Sequence, residues 1–425
     1  MIWVWLFLSS NTNEKKIFYG WWIVFSGFVI QCLNGLLLFH GFTIYFLPLQ
    51  AEFGWNRATV ATAVALTRAE GAILGPIQGW LIDKYGPRII TCIGVFLFGL
   101  GFILFSFVNS VLTYFLCFAL IALGSSIGGF LSISATITNW FNKKRAFAQG
   151  LFMTGMGIGG LLVPLLAIAI TTYGWRAVAF ASGIIIIVFN MPAAMSLRHK
   201  PEPFGYMPDG EIKADSTKNT TIAYDDKDDL SAVEAMKTSS FWFIGLGHAF
   251  SLLVVGSVGI HFTPHVAQKL NYSLEKAGLM ISVLMVFTII GQTVGGYLGD
   301  KIDKRLFLVF TMLGHSSGLL VLTFATNDFH VVMFCLLHGL AWGSRGPSMQ
   351  SLRADYFGRR SFATIMGFSS ILNALAMAIA PISAGVLADH YGDYTNAFVS
   401  LAIMTGCGSL FFALLKPPKI KKTTV

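Results

Sequence analysis

The sequence predicts an all-α membrane protein of twelve transmembrane helices, arranged as two pseudo-symmetric six-helix bundles. Three observations predict it. Of 425 residues, 55% are hydrophobic and only 12% charged, more apolar surface than a soluble core buries, so the bilayer is the solvent. Apolar windows of about 20 residues recur twelve times along the chain. And the two halves repeat one another at a constant shift.

The windows cover 19–48, 57–82, 88–108, 111–140, 147–172, 175–197, 239–268, 274–299, 305–326, 329–356, 362–388 and 394–415. Residues 1–18 open with "MIWVWLFLSS", too short an apolar run to span and without a basic flank, so they read as a tail. The first bundle is 19–198. A polar, Pro-containing loop of mixed charge, 199–238, follows, with room for one short helix. The second bundle is 239–416 and the tail is 417–425.

Lys and Arg test this layout. With both termini cytoplasmic, the inside segments hold 23 of the 29 basic residues, Arg353 and Arg359 among them. The outside loops hold 4, and Arg68 and Arg345 fall within spans. That asymmetry orients the chain in a cell membrane, ends inside. It also accounts for the net charge of +9 without a nucleic-acid partner. Seven tryptophans (21, 22, 55, 80, 140, 175, 242) fall near helix ends, where interfacial anchoring places them. The five cysteines all sit in apolar runs with no metal-ligand spacing. No nucleophile–base pair, phosphate loop or metal cluster stands out, so the sequence points away from an enzyme and asks for no cofactor.

The internal repeat is specific. "GWLIDKYGPR" (79–88) matches "GYLGDKIDKR" (296–305): Gly79 to Gly296, Asp83 to Asp300 and Arg88 to Arg305, each shifted by 217, as is Pro164 to Pro381. Two similar bundles around a central site are what a rocking carrier needs.

These residues resemble the signature loop of the major facilitator superfamily. "WFNKKRAFAQGLFMTGMGIGG" with "YGWR", "PEPFGYMPDG" and "YFGRRSFATIMG" resemble its monocarboxylate porter and oxalate–formate antiporter branch. The resemblance implies alternating access and a small carboxylate moved with protons or by exchange. It implies a pathway between helices 1, 4, 7 and 10, and a cytoplasmic gate held by Asp83, Arg88, Asp300 and Arg305. It also implies a cation on helix 8, or a lysine on helix 11 in oxalate exchangers. Neither helix carries a membrane-depth charge here, so those anion contacts do not transfer.

The anion contact is therefore sought among the charges this chain does bury. A charge at the centre of a span costs about 2.5–3.5 kcal/mol and normally faces a wet cavity or a partner. On the tenth helix, His338, Trp342, Arg345 and Met349 share one face, and Gly346-Pro347 should loosen the helix beside them. Arg345 is the first candidate for the carboxylate, with Trp342 over its apolar part. Arg68 is second. Glu70, two positions on, is the proton acceptor or a counter-charge for Arg345. Gly71, Gly75 and Gly79 form a small-residue seam for a neighbouring helix. Asn34 and Tyr45 share a face of the first helix with Gln31 and Leu38, while His40 points away and reads as structural, like His248 and His315. Ser126 aligns with Arg345 across the repeat. Ser257, His261 and His265 step by four along the seventh helix, a vestibule or protonatable pair more than a metal site. The partners expected are thus a small organic anion, a proton or counter-anion, and lipid, with no oligomer required. The competing expectations are a carrier for a neutral or cationic solute and a non-transporting membrane sensor.

Overall fold

The computed structural model describes residues 17–210 and 229–418, without the side chains at 57–58, 61, 63–70, 72 and 274. The N-terminal tail and most of the C-terminal one lie outside the described residues. Arg68 and Glu70 lie in a described helix, but their side chains do not belong to the described set.

Among the described residues the chain forms twelve helical rods. In the first half they are α1 (Tyr19–Phe53), α2 (Arg57–Tyr85), α3 (Pro87–Phe105), α4 (Val111–Trp140), α5 (Arg145–Tyr173) and α6 (Trp175–Met195). In the second they are α7 (Ser239–Leu270), α8 (Leu274–Gly299), α9 (Lys304–Thr323), α10 (Asp328–Phe357), α11 (Phe362–Tyr391) and α12 (Thr395–Ala413). Ten are long and apolar enough to cross a membrane. Among the described residues α10, the rod carrying Arg345 and Arg353, is not one of them.

Local chemistry sets the ends. Asn56, Ser110, Ser273 and Asn327 cap α2, α4, α8 and α10 with side-chain oxygens that accept from backbone N–H groups one turn on. Gly86 and Gly174, at φ of 85° and 79°, turn the chain between α2 and α3 and between α5 and α6, a conformation closed to most side chains.

Several rods are not regular. In α1 a π-helical turn (Gly35–Phe39) is followed by a 3-10 turn (Gly41–Tyr45). α4 is interrupted at Gly129, and α5 at Leu162 ahead of Pro164. α10 by contrast runs unbroken through Pro347, so the loosening expected from Gly346-Pro347 does not occur.

The halves meet along two seams, and the shift of 217 relates them contact by contact. Gly79 of α2 lies against Ala363 and Thr364 of α11, while Gly296 of α8 lies against Ala146 and Phe147 of α5. Gly75 faces Gly367 on α11, and Gln292 faces Gly150 on α5. A Cβ at any of these glycines would strike the opposite backbone, the close approach that small residues permit in membranes. The seam expected at Gly75 and Gly79 is therefore an interface between the halves.

At the end of the bundle where residues 197–238 connect the halves (the linker side), two carboxylates close these seams. Asp83 accepts from the backbone N–H of Ala363 (3.3 Å) and of Thr364 (2.8 Å) and from the Thr364 hydroxyl (2.6 Å). Asp300 accepts from the N–H of Ala146 (2.8 Å) and Phe147 (2.9 Å). Each acid thus caps the first turn of a helix in the opposite half, where free N–H groups and the helix dipole favour negative charge.

The linker repeats the device. Asp209 accepts from the N–H groups of Asn142, Lys143 and Lys144 just before α5, and Asp229 from those of Arg359 and Arg360 just before α11. The short helix allowed for in the loop is Ala232–Met236, with a Ser231–Glu234 capping box.

Three expectations are corrected here. Arg88 is exposed, and Arg305 bonds Asp303 and the Leu415 carbonyl within its own half. Neither bridges the halves. The arginines that do are Arg145, paired with Asp355 at 2.7 Å, and Arg359, which donates to the Asn139 carbonyl. Trp140 is not an interfacial anchor: it is wholly buried and donates to the Arg198 carbonyl at 2.7 Å.

Candidate functional site

Between the halves lies a cavity of about 540 Å³, within the range typical of small-ligand pockets. Its two walls differ in chemistry.

The N-terminal wall carries neutral polar groups. Gln31 and Asn34 come from α1, Gln78 from α2, and Ser125 and Ser126 from α4. They bond one another: Ser125 donates to Asn34 (2.9 Å), Asn34 to Gln31 (3.4 Å), and Gln78 and Ser126 are joined at 2.8 Å. The expected roles of Asn34 and Ser126 on the pathway fit this position.

The C-terminal wall carries Arg345, Arg353, Trp342 and Gln350 from α10, His248 from α7, Thr288 and Gln292 from α8, and Asn373 from α11. Methionines 153, 156, 285, 366 and 377 supply adaptable apolar surface around them.

Arg345 is 2% exposed and meets no carboxylate among the described side chains, which do not include Glu70. Its Nε donates to His315 Nε2 at 3.4 Å, and its Nη1 is buried without a partner. Behind it, His315 Nδ1 lies 3.1 Å from His338 Nδ1. With His315 accepting at Nε2, its proton sits on Nδ1 and is donated to His338, whose own N–H is then left at the unpartnered Nε2. The polar chain therefore ends inside the protein with no acid to neutralise it. Breaking a buried charge pair leaves a penalty of several kcal/mol, and among the described side chains Arg345 stands in that condition.

Arg353 is 1% exposed. Its Nη1 donates to Gln350 (3.0 Å), its Nη2 lies 3.1 Å from His248 Nδ1, and its Nε has no partner. No Asp or Glu side chain is found among the described residues lining the cavity.

The repeat shows how specialised this wall is. The contact of Gly318 with His338 reproduces that of Gly101 with Ile121 at the same shift of 217. By that shift His315 replaces Phe98 and Arg345 replaces Gly128, so the cation and both histidines behind it have uncharged counterparts. Ser126 corresponds to Gly343, two residues from the alignment with Arg345 made on motif likeness.

Other expectations change. His338 stands behind Arg345 and is fully buried, so it reaches the cavity only through His315. Tyr45 packs into a cluster with Phe42 and Phe105 away from the cavity, whereas His40 lines it. Both errors have one cause: the π and 3-10 turns of α1 rotate everything beyond Gly35 out of 3.6-residue register. His261 bonds the Pro381 carbonyl (2.8 Å) and Tyr394, and His265 the Leu322 carbonyl (3.0 Å), so they brace α7 and are not cavity residues. No group of three metal-ligating side chains occurs among the described residues.

Sequence reasoning misses His248, His315 and Arg353 as site residues. Arg353 counts with the inside loops by sequence because it sits near the end of its span. The signal available is its spacing, eight residues beyond Arg345 on the same helix.

Two like bundles, a pair of seams sealed at the linker end and a charged cavity between the halves define a helical membrane carrier, not an enzyme. The chain belongs to the Major Facilitator Superfamily, whose family model matches residues 23–255 and 243–424. Among curated relatives it is 23% identical over 397 residues to Monocarboxylate transporter 13 of Rattus norvegicus, covering 92% of this chain and 87% of that one. It is 24% identical over 393 residues to the Oxalate:formate antiporter of Oxalobacter formigenes, covering 90% and 88%. Its fold matches the fucose:proton symporter of E. coli with a TM-score of 0.72 at 14% identity, covering 94% of this chain and 98% of that one. The chain is thus a transporter of the branch that holds the monocarboxylate and oxalate:formate carriers.

Proposed function

We propose that this protein is a secondary active transporter of a small organic anion, a monocarboxylate in the simplest case. The anion's carboxylate would pair with Arg345 beneath Trp342. The observation that carries the reading is the Arg345 guanidinium on a cavity wall, buried, facing no acid among the described side chains, with an N–H still free. A carboxylate supplies two acceptor oxygens suited to a guanidinium fork. The names of the relatives, a monocarboxylate transporter and an oxalate:formate antiporter, support the same substrate class.

Translocation is by alternating access. The Lys/Arg asymmetry supports a cytoplasmic linker side, and the proposed location is the plasma membrane. With Asp83 and Asp300 engaged, that side is sealed. Proton symport and anion exchange both fit, and Glu70, one residue before the cavity-lining Gly71, is the proposed proton-coupling group. Arg68 is the secondary anion contact.

Two measurements test this. In a thermal-shift panel on purified protein, small carboxylates raise the melting midpoint while sugars and amines do not; stabilisation by a sugar alone overturns the reading. In proteoliposomes, Glu70→Gln removes the dependence of uptake on an inward proton gradient but spares counterflow. An unchanged response to the gradient takes Glu70 out of the mechanism and leaves exchange as the mode.

A further inference from the structure

We infer that the cavity holds a second anionic subsite at Arg353, and that the preferred cargo is a small acid with two negatively charged groups. This rests on the reading that Arg345 binds a carboxylate.

Arg353 repeats the features that single out Arg345. It lines the same cavity, is 1% exposed, meets no carboxylate among the described side chains and keeps a buried N–H, at Nε, without a partner. Its two occupied contacts, Gln350 and His248, are neutral acceptors that orient the guanidinium without cancelling its charge. Gln350 Oε1 fixes Nη1 and His248 Nδ1 fixes Nη2, so the unused donor edge is defined from both sides. His248, which faces the cavity, is thereby set with its proton on Nε2, a further donor beside the cation.

The charge balance selects the cargo. Among the described side chains, a monocarboxylate on Arg345 neutralises one guanidinium and leaves the other unpaired in a site of low dielectric. A second acidic group on the same molecule compensates both. The two Cα atoms lie about 12 Å apart along α10, from eight residues at about 1.5 Å each, a span that two flexible side chains can shorten. A few carbons between the acidic groups suffice to bridge them. Arg353 also has no charged counterpart, since the shift of 217 places Thr136 opposite it. A second cation retained on one half only fits a recognition role.

The test compares succinate, glutarate and adipate with butyrate, valerate and hexanoate as competitors in counterflow by wild-type protein in proteoliposomes. At least one diacid is expected to compete about tenfold better than its monoacid partner, the effect of one charge-assisted hydrogen bond. Arg353→Gln is expected to erase that preference, and Arg353→Lys, which keeps the charge but loses the fork, to restore part of it. Wild-type protein that favours the monoacids overturns the subsite, as does a diacid preference that survives in Arg353→Gln. Failure of the primary site looks different: Arg345→Gln would then leave competition by both series intact.

Discussion

Arg345→Gln abolishes carboxylate uptake into proteoliposomes, while the variant inserts at wild-type level and melts at the same or a higher temperature. The two halves of this result have one cause. In the resting protein the guanidinium is buried with one weak contact to His315 and no acid, and an unpaired charge at mid-span costs about 2.5–3.5 kcal/mol. Glutamine removes that burden. The same exchange removes the cation from the anion's site, where truncating one partner of a buried charge pair costs about 2–5 kcal/mol, about thirty- to several-thousand-fold in affinity. A structural, salt-bridged arginine would behave in the opposite way, with lost stability and little change in transport per folded molecule. Normal uptake by the variant would refute the assignment.

Asp83→Asn with Asp300→Asn opens the linker side. Each carboxylate caps a helix of the opposite half, Asp83 at α11 and Asp300 at α5. Neutralising such a cap costs up to about 2 kcal/mol in partly buried sites. The pair then shifts the balance of the two states by up to about 4 kcal/mol, about a thousandfold. Hydrogen–deuterium exchange reads this directly: the amides of Ala146, Phe147, Ala363 and Thr364 lose protection together. Each single variant is expected to loosen both seams, because the halves move as bodies. Protection that persists in the double variant would show that the glycine seams alone hold the seal.

Much of this architecture was legible in the sequence. The twelve apolar windows match the rods closely, and the shift of 217 read from one loop pair also relates glycine contacts, acid caps and cavity residues across the halves. It could be read because bilayer thickness fixes span length, and because a duplicated bundle keeps its interface residues in register. Arg345 and Trp342 were legible for a related reason: lipid does not tolerate a guanidinium, so a charge and an indole on one helical face of an apolar run must turn toward a cavity or a partner.

What failed to show has equally physical causes. His40 and Tyr45 exchanged places because α1 changes helical pitch at Gly35, and no local residue type announces a π turn. His248 and His315 looked structural because neither has a charged residue beside it on its own helical face; only tertiary packing sets them beside Arg353 and Arg345. The gate was half legible. Its acids, Asp83 and Asp300, sit in the repeated motif, but their partners are backbone N–H groups, which carry no sequence signature. The arginines of that motif were the natural guess and turn outward.

Every guanidinium described on the cavity wall belongs to one half, and the described side chains of the facing surface offer amides, hydroxyls and the His40 imidazole. On the proposed reading, an anion docked on α10 would travel as a passenger of the C-terminal bundle, while its companion slides past. The exchange of neutral hydrogen bonds on the sliding side changes the energy by about 0.5–1.5 kcal/mol each. The loaded carrier thus crosses a shallow landscape, and the tempo of the cycle is set by the acid caps and glycine seams more than by the grip on the cargo.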